Sequence, residues 1–406
     1  MPSQNNLKPS PEKSPSELLP ESFNVSNPSS KTVFLGMSGG VDSSLSAVLL
    51  KEAGFNVVGV YMKNWSRDLP GMKCPWAEDL ADAKRVATSL DLDFLVLDFE
   101  AEYKEKVVDY MLSEFKLGRT PNPDVLCNEE IKFKLFFKEA KKLGADFIAT
   151  GHYAGVRNGA LTLSKDKNKD QTYFLYRISR ESLEKTIFPL ENLEKPEVKR
   201  LAAEKGLKNA YKKESMGVCF VGEVGIKDFL KEYIDISPGE IRELETGALL
   251  GTHEGAVFYT LGQCHGLYIG GGLPYYVVKK DLKNNVLFVS KNLNASALWT
   301  STLDLENVFL RSETERALVE SLDGNIFVRL CHRAPLLPAR LNLPTSLKSP
   351  LSSNPAEVPA SLKSSDSSAP SLVFSEEIKR PASGQSVVFY SGTEPGDLCL
   401  GGAFIK

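Results

Sequence analysis

Val33-Phe34-Leu35-Gly36-Met37-Ser38-Gly39-Gly40-Val41-Asp42-Ser43-Ser44-Leu45 is the stretch on which the reading turns. The apolar run 33–37 has the length of a buried strand, and 45–53, halted by Gly54, has helical spacing. Glycines let the backbone approach a phosphate closely, and a helix start offers unpaired N–H groups and the positive end of the helix dipole. Ser38, Ser43 and Ser44 supply hydroxyl donors, and Asp42 is placed to hold Mg2+ against phosphates. An ordinary Gly–Ser turn is the competing reading. It does not account for a glycine pair, an aspartate and a serine pair arriving together behind a strand. The Gly-Lys-Ser/Thr of a Walker A loop is missing, so no lysine is expected to reach a γ-phosphate and γ-phosphoryl transfer is disfavoured.

Outward from that turn, apolar runs alternate with amphipathic segments. Strands are expected at 57–62, 94–99 and 146–150, and helices at 77–90, 103–115 and 129–143. Such alternation predicts an α/β unit with a doubly wound parallel sheet, whose ligands lie at the carboxyl ends of the strands. Helical spacing continues at 195–205 and 226–233. Beyond residue 236 short strand-like runs take over, at 256–261, 275–279, 286–290, 327–330 and 386–390. These predict a small central domain and then a β-barrel. The Ser/Pro/Ala-rich stretch 344–372 lacks the apolar residues to build a core and reads as a disordered insertion between two strands of the last domain. The expected division is a disordered leader at 1–30, a nucleotide-binding domain at 31–220, a central domain at 221–295 and a barrel domain at 296–406.

A net charge of -3 over 406 residues gives no global field to draw in nucleic acid. An RNA partner would need local patches, and Lys132, Lys134, Lys138, Lys141 and Lys142 form one candidate, Lys208, Lys212 and Lys213 another. A solvated helix face explains either cluster equally well. No apolar run is long enough to span a membrane, and the leader lacks the features of a signal or transit peptide, so a cytoplasmic protein is expected. None of the six cysteines forms a C-x-x-C pair, so the usual zinc spacings are absent. In a reducing cytosol each is a buried apolar thiol or a reactive single one.

Two of these thiols sit in distinctive company. In Gly118-Arg119-Thr120-Pro121-Asn122-Pro123-Asp124-Val125-Leu126-Cys127-Asn128 two prolines stiffen an extended loop. Asn128 is placed to cap the following helix, which would set Cys127 beside a helix N-terminus where the dipole favours thiolate. Asp124 has the chemistry of a general base or a nucleobase-orienting acceptor. A stiff connection ending on a buried cysteine fits the same residues. In Ser215-Met216-Gly217-Val218-Cys219-Phe220-Val221 the apolar neighbours make burial of Cys219 the plain reading.

The Gly36–Ser43 turn resembles the pyrophosphatase loop of the ATP-pyrophosphatase superfamily, whose members cleave ATP between the α- and β-phosphates and attach AMP to a substrate oxygen. Together with Asn122-Pro123-Asp124…Cys127-Asn128 and Met216…Val218-Cys219-Phe220, the chain closely resembles the bacterial tRNA-specific 2-thiouridylases. Met62-Lys63-Asn64-Trp65, Gly151-His152-Tyr153, Lys169-Asp170-Gln171-Thr172-Tyr173-Phe174-Leu175, Tyr259-Thr260-Leu261-Gly262-Gln263 and Gly384-Gln385-Ser386 agree with it, from about Lys31 to the C-terminus.

The resemblance implies an adenine nucleotide α-hydrolase-like catalytic domain and a tRNA sulfurtransferase that thiolates C2 of the wobble uridine in lysine, glutamate and glutamine tRNAs. It implies ATP and Mg2+ as cofactors, with a sulfur-relay protein or cysteine desulfurase as persulfide donor. ATP would be held by Gly36, Met37, Ser38, Gly39, Gly40, Val41, Asp42 and Ser43, with Met62 and Gly151 near the adenosine and Asp42 as the metal contact. Asn122, Pro123 and Asp124 would form the pocket of a flipped-out uracil. Cys127 matches the nucleophile and Cys219 the persulfide carrier, so their loops must bring the two sulfurs to bonding distance. His152, Lys169, Asp170, Gln171 and Gln385 match tRNA-contacting positions. Cys331-His332 stands where the family commonly has Arg-Tyr against tRNA, and Gly262-Gln263-Cys264 where it has Gly-Gln-Arg. Two other classes remain open on the residues alone: a synthetase or amidotransferase of the same superfamily, and a non-catalytic RNA-binding sulfur-relay protein.

Overall fold

Residues 25–68, 74–212, 226–270, 272–344 and 369–406 are described by the computed structural model. The leader to residue 24, Lys213, the Ser215–Val221 stretch with Cys219, and residues 345–368 of the expected insertion lie outside them.

The β1 strand (Thr32–Gly36) is almost wholly buried, as an uninterrupted apolar run in a parallel sheet should be. It is followed by α1 (Val41–Glu52), β2 (Asn56–Lys63), α2 (Trp76–Ser89) and β3 (Asp93–Asp98). Two long helices come next, α3 (100–116) and α4 (123–142), each with a π-helical stretch, at Lys104–Val108 and Cys127–Leu135. Then β4 (Phe147–Thr150), a β5–β6 hairpin (Gly155–Arg157, Ala160–Thr162), β7 (Thr186–Ile187) and α5 (Lys195–Glu204) complete the first unit. Its sheet runs β3-β2-β1-β4-β7, every pairing parallel. The chain passes from β1 outward to β2 and β3, then returns to the other side of β1 as β4. That reversal opens a crevice at the carboxyl ends of β1 and β4, where doubly wound sheets bind ligands.

After α6 (Ile226–Lys231), the strands β8 (Gly239–Glu243), β9 (Leu249–His253), β10 (Tyr276–Asp281) and β11 (Val286–Ser290) form a small sheet in the order β10-β11-β8-β9. It has its own core of Ile241, Tyr259, Val277, Leu287 and Val289. The stretch 256–261, expected as a strand, instead holds a 3-10 turn at Ala256–Phe258, entered through Gly255 at φ 159°.

The remaining strands are β12 (Trp299–Leu310), β13 (Asn325–Arg329), β14 (Leu337–Asn342), β15 (Ser371–Lys379), β16 (Ser386–Tyr390) and β17 (Leu398–Ile405), with α7 (Glu313–Ser321) after β12. They close into a barrel, β12-β15-β14-β13-β16-β17, by a β12–β17 pairing. Closure satisfies every strand edge. The β5–β6 hairpin of the first unit adds itself to β17, a joint no short-range signal marked. Ser371 and Leu372 belong to β15, and Leu372 is fully buried, so the insertion ends earlier than residue 372. No described helix is long and apolar enough to cross a membrane.

Candidate active site

At the crevice, Gly36 ends β1 and Met62 leans over it from β2: a Cβ on Gly36 would stand 2.9 Å from the Met62 methyl. Gly39 takes φ +75°, a conformation that favours glycine, and packs against the backbone of α2 at Asp79 and Ala83. Ser43 Oγ donates to the Gly40 carbonyl at 3.1 Å and lies 3.4 Å from Ser38 Oγ, so the turn is folded on its own hydroxyls. Gly151 closes the far side. A Cβ there would sit 2.7 Å from Ser43 N and 2.8 Å from Asp42 C, so only glycine allows β4 to meet the start of α1. The carboxyl ends of β1, β2 and β4 thus meet around one helix N-terminus, the geometry of an anion cradle.

Asp42 is not a solitary acid. Its Oδ1 accepts from Lys195 Nζ at 2.6 Å and from the Tyr153 hydroxyl at 3.0 Å. Lys195 opens α5, and its side chain is mostly buried. The sequence offered no lysine to this loop, and the fold corrects that reading by delivering one from 153 residues away. Asn209 also reaches in, donating to Gly39 O at 2.9 Å and Ser44 Oγ at 2.8 Å. Nothing short-range identified either residue. Among the described residues no cluster of three or more metal-ligating side chains exists. One carboxylate beside serine hydroxyls fits a Mg2+ held chiefly by substrate phosphates.

Asn122, not Asn128, caps α4: its Oδ1 accepts from the Asp124 N–H at 3.1 Å. Pro123 takes the first helical position, where a missing N–H costs nothing. Cys127 therefore lies in the second turn, buried, at the first residue of the π-helical stretch. Asn128 is buried as well and donates to Phe174 O at 3.1 Å. That contact and the Phe133–His152 ring pair at 5.8 Å pin α4 to the segment behind β4, which is itself closed by Tyr153 N–H to Gln171 Oε1 at 2.9 Å. Since Tyr153 also holds Asp42, the thiol helix and the glycine turn share one set of supports.

Sequence comparison bears on this arrangement. Residues 31–223 match the tRNA methyl transferase HUP domain family, 227–291 the tRNA methyl transferase PRC-barrel domain and 342–405 the aminomethyltransferase beta-barrel domain. The tRNA-specific 2-thiouridylase MnmA of Listeria welshimeri is 42% identical over 93% of this chain and 95% of its own. That of Idiomarina loihiensis is 43% identical over 93% and 96%. MnmA 1 of Geobacillus kaustophilus is 52% identical over 68% and 77%. The chain belongs to the tRNA-specific 2-thiouridylase family.

Not every position that the 2-thiouridylase pattern assigned to RNA faces outward. Asp170 is 1% exposed; its carboxylate takes Arg329 Nη1 at 2.9 Å, Thr172 Oγ1 at 2.5 Å and Ser164 N at 2.9 Å. Turned inward to Arg329, it ties the catalytic unit to the barrel. Gln171 is engaged with Tyr153, and Gln385 Nε2 donates to Thr120 O at 2.6 Å. His152 is half-buried between Phe133 and Phe188, and burial, aided by Lys132, holds its pKa well below the usual value. Cys331 is exposed, and the His332 ring lies tilted against Phe174, centroids 4.7 Å apart. Burial and the nearby Arg333 and Arg329 push His332 down to about 4. Cys399, fully buried, has its thiol pushed up to about 11 by burial and is structural.

Proposed function

We propose that this chain is a cytoplasmic tRNA-uridine 2-sulfurtransferase acting on the wobble uridine of lysine, glutamate and glutamine tRNAs. The observation that carries the reading is that the segment after β4 supports both the glycine turn, where Tyr153 holds Asp42, and the Cys127 helix, where Phe174 takes Asn128.

Uracil C2 is a poor electrophile and its oxygen a poor leaving group. Attack of O2 on the α-phosphorus of ATP forms an O–P bond and breaks the bond to the β-phosphate, releasing pyrophosphate. The glycine turn and Lys195 receive the developing negative charge, and Mg2+, held by Asp42 and the phosphates, would supply Lewis-acid stabilisation there. Asn122, Pro123 and Asp124 hold the extruded base. The terminal sulfur of a persulfide on Cys219, loaded by a cysteine desulfurase or sulfur-relay protein, then replaces AMP at C2. In one order it attacks directly, and Cys127 thiolate then breaks the sulfur–sulfur bond to leave a Cys127–Cys219 disulfide and the 2-thiouridine. In the other, Cys127 first frees hydrosulfide, which attacks. Either order consumes one persulfide and leaves one disulfide for a thiol reductant.

The test is tRNA-dependent pyrophosphate release, with mass spectrometry of the nucleosides, for the wild type, Cys127→Ser, Cys219→Ser and Asp42→Asn. Both serine variants are expected to abolish 2-thiouridine, and Asp42→Asn to suppress pyrophosphate release. Full thiolation by either serine variant would overturn the reading.

A further inference from the structure

The loop that carries Asn122, Pro123 and Asp124 is held from both other domains at once. From the central domain, Lys280 Nζ donates to Gly118 O at 2.5 Å and to Tyr259 O at 2.9 Å. Leu282 of the following turn lies on Gly118, whose φ is +76° and where a Cβ would overlap the leucine side chain. Thr260 Oγ1 meets Thr120 Oγ1 at 3.4 Å. From the barrel side, Ser383 O accepts from the Thr120 N–H at 2.8 Å and Gln385 Nε2 donates to Thr120 O at 2.6 Å. Arg119 adds an ion pair to Glu306 of β12 at 2.5 Å.

We infer that Lys280 is a positioning residue for sulfur transfer: from the central domain it fixes the backbone of the loop that presents the target base and leads into the thiol helix. The inference rests on the reading of Asn122–Asp124 and Cys127 given above.

Three features carry it. Lys280 makes no ion pair with any described acid, and its two acceptors are carbonyls in different domains. An ammonium so placed trades hydration for directed bonds and acts as a bracket rather than as a surface charge. Burial alone pushes its pKa down to about 8. Second, the path from Gly118 to Cys127 is stiff. Pro121 and Pro123 fix two φ angles, and Asn122 caps the helix, so a shift at Gly118 is passed along rather than absorbed. Third, the bracket joins units expected to share the tRNA. RNA seated on the central domain and barrel would therefore register directly in the position of Asp124.

The experiment compares Lys280→Met, Lys280→Gln and Lys280→Arg in the full chain, with Cys127→Ser alongside. It measures tRNA Kd, KM for ATP, kcat of thiolation and the melting temperature. For Lys280→Met, kcat is expected to fall by about tenfold to a hundredfold, the effect of an ångström-scale misplacement. The tRNA Kd and ATP KM should stay within about threefold, as for a group acting only on geometry. Lys280→Arg, which keeps a charged donor, should recover most of kcat. An unchanged kcat, whatever happens to the melting temperature, would overturn the inference. So would a weakened Kd with kcat intact, which would make Lys280 an RNA contact. Failure of Lys280→Arg to recover kcat would overturn it too. Should Lys280→Met not fold, Lys280→Gln decides by the same criteria. Full thiolation by Cys127→Ser would instead defeat the site reading itself, leaving the two failures distinguishable.

Discussion

Gly151 and Glu191 show what single positions carry. At Gly151 the missing side chain is the functional feature, since one methyl would press on the Asp42–Ser43 backbone at 2.7–2.8 Å. Gly151→Ala must push β4 from α1 and distort the cradle; a loss of at least about a hundredfold in kcat/KM for ATP is expected, read by pyrophosphate release. Glu191 is the opposite case, an acid buried where water would be preferred. Its Oε2 has no hydrogen-bond partner among the described residues, and burial pushes its pKa up to about 7 against the pull of Arg157. Below its ordinary value of 4.5 the group is protonated whether folded or unfolded and contributes nothing. As pH rises the unfolded chain ionises first, so stability falls through the window from 4.5 to about 7 and then levels. Glu191→Gln lacks this dependence. At pH 8 it should exceed the wild type by up to about 3 kcal/mol in urea unfolding, a margin absent at pH 4. Equal stability at pH 8 would refute the argument.

Between residues and domains, the elements differ in how far local pattern decided them. β1, β2 and β4 were legible because a parallel strand buried on both faces leaves an unbroken apolar run. α4 was legible as a helix, but its start was not: Asn122 and Asn128 are both credible caps, and only the side-chain bond to Asp124 N–H decides. Ala256–Phe258 carries strand-like residues whose backbone is bent by Gly255. The 2-thiouridylase-like order of motifs brought the glycine turn, Met62 and Gly151 into view. It could not bring Lys195 and Asn209, which reach the turn only through tertiary structure. Nor could it show that Asp170 serves the joint between β13 and the segment after β6. Breaking a buried pair strands its partner, so Asp170→Ala should cost about 3–5 kcal/mol. The tRNA Kd, measured well below the melting midpoint, should remain unaltered, because removing an acid takes away no phosphate contact. Weakened RNA binding with unchanged stability would instead restore Asp170 to the RNA surface.

At the scale of the whole molecule, the barrel keeps a core of its own around Leu305, Val328 and Phe389, but one of its faces is continuous with the interior of the catalytic unit. One cluster joins Phe34 and Ile148 of the sheet, Tyr173 and Tyr176 behind it, and Val388, Tyr390 and Cys399 of the barrel. The Arg311 side chain is fully buried across the seam, donating to Ile178 O at 3.1 Å, Tyr176 O at 2.9 Å and Cys399 O at 2.7 Å. Tyr173 OH reaches Ser386 O at 2.9 Å. A seam of this kind is a core cut by a domain boundary rather than a hinge. Opening it would strip the guanidinium of its bonds to Ile178 O and Tyr176 O, leaving it Glu315 and Cys399 O within the barrel, and would expose a large apolar face. The two units should therefore unfold together. Of the three tryptophans, Trp65 and Trp76 lie in the catalytic unit and Trp299 begins the barrel, so variants that keep Trp65 alone or Trp299 alone report on each unit separately. Their urea transitions should coincide in midpoint and slope. Arg311→Met should move both midpoints down together, by about 3–5 kcal/mol in stability, rather than splitting them. A Trp299 transition that precedes the Trp65 transition, or that alone responds to Arg311→Met, would show the barrel to be an independent unit resting on the catalytic domain. The bracket at Thr120 would then be a mobile contact instead of a fixed one.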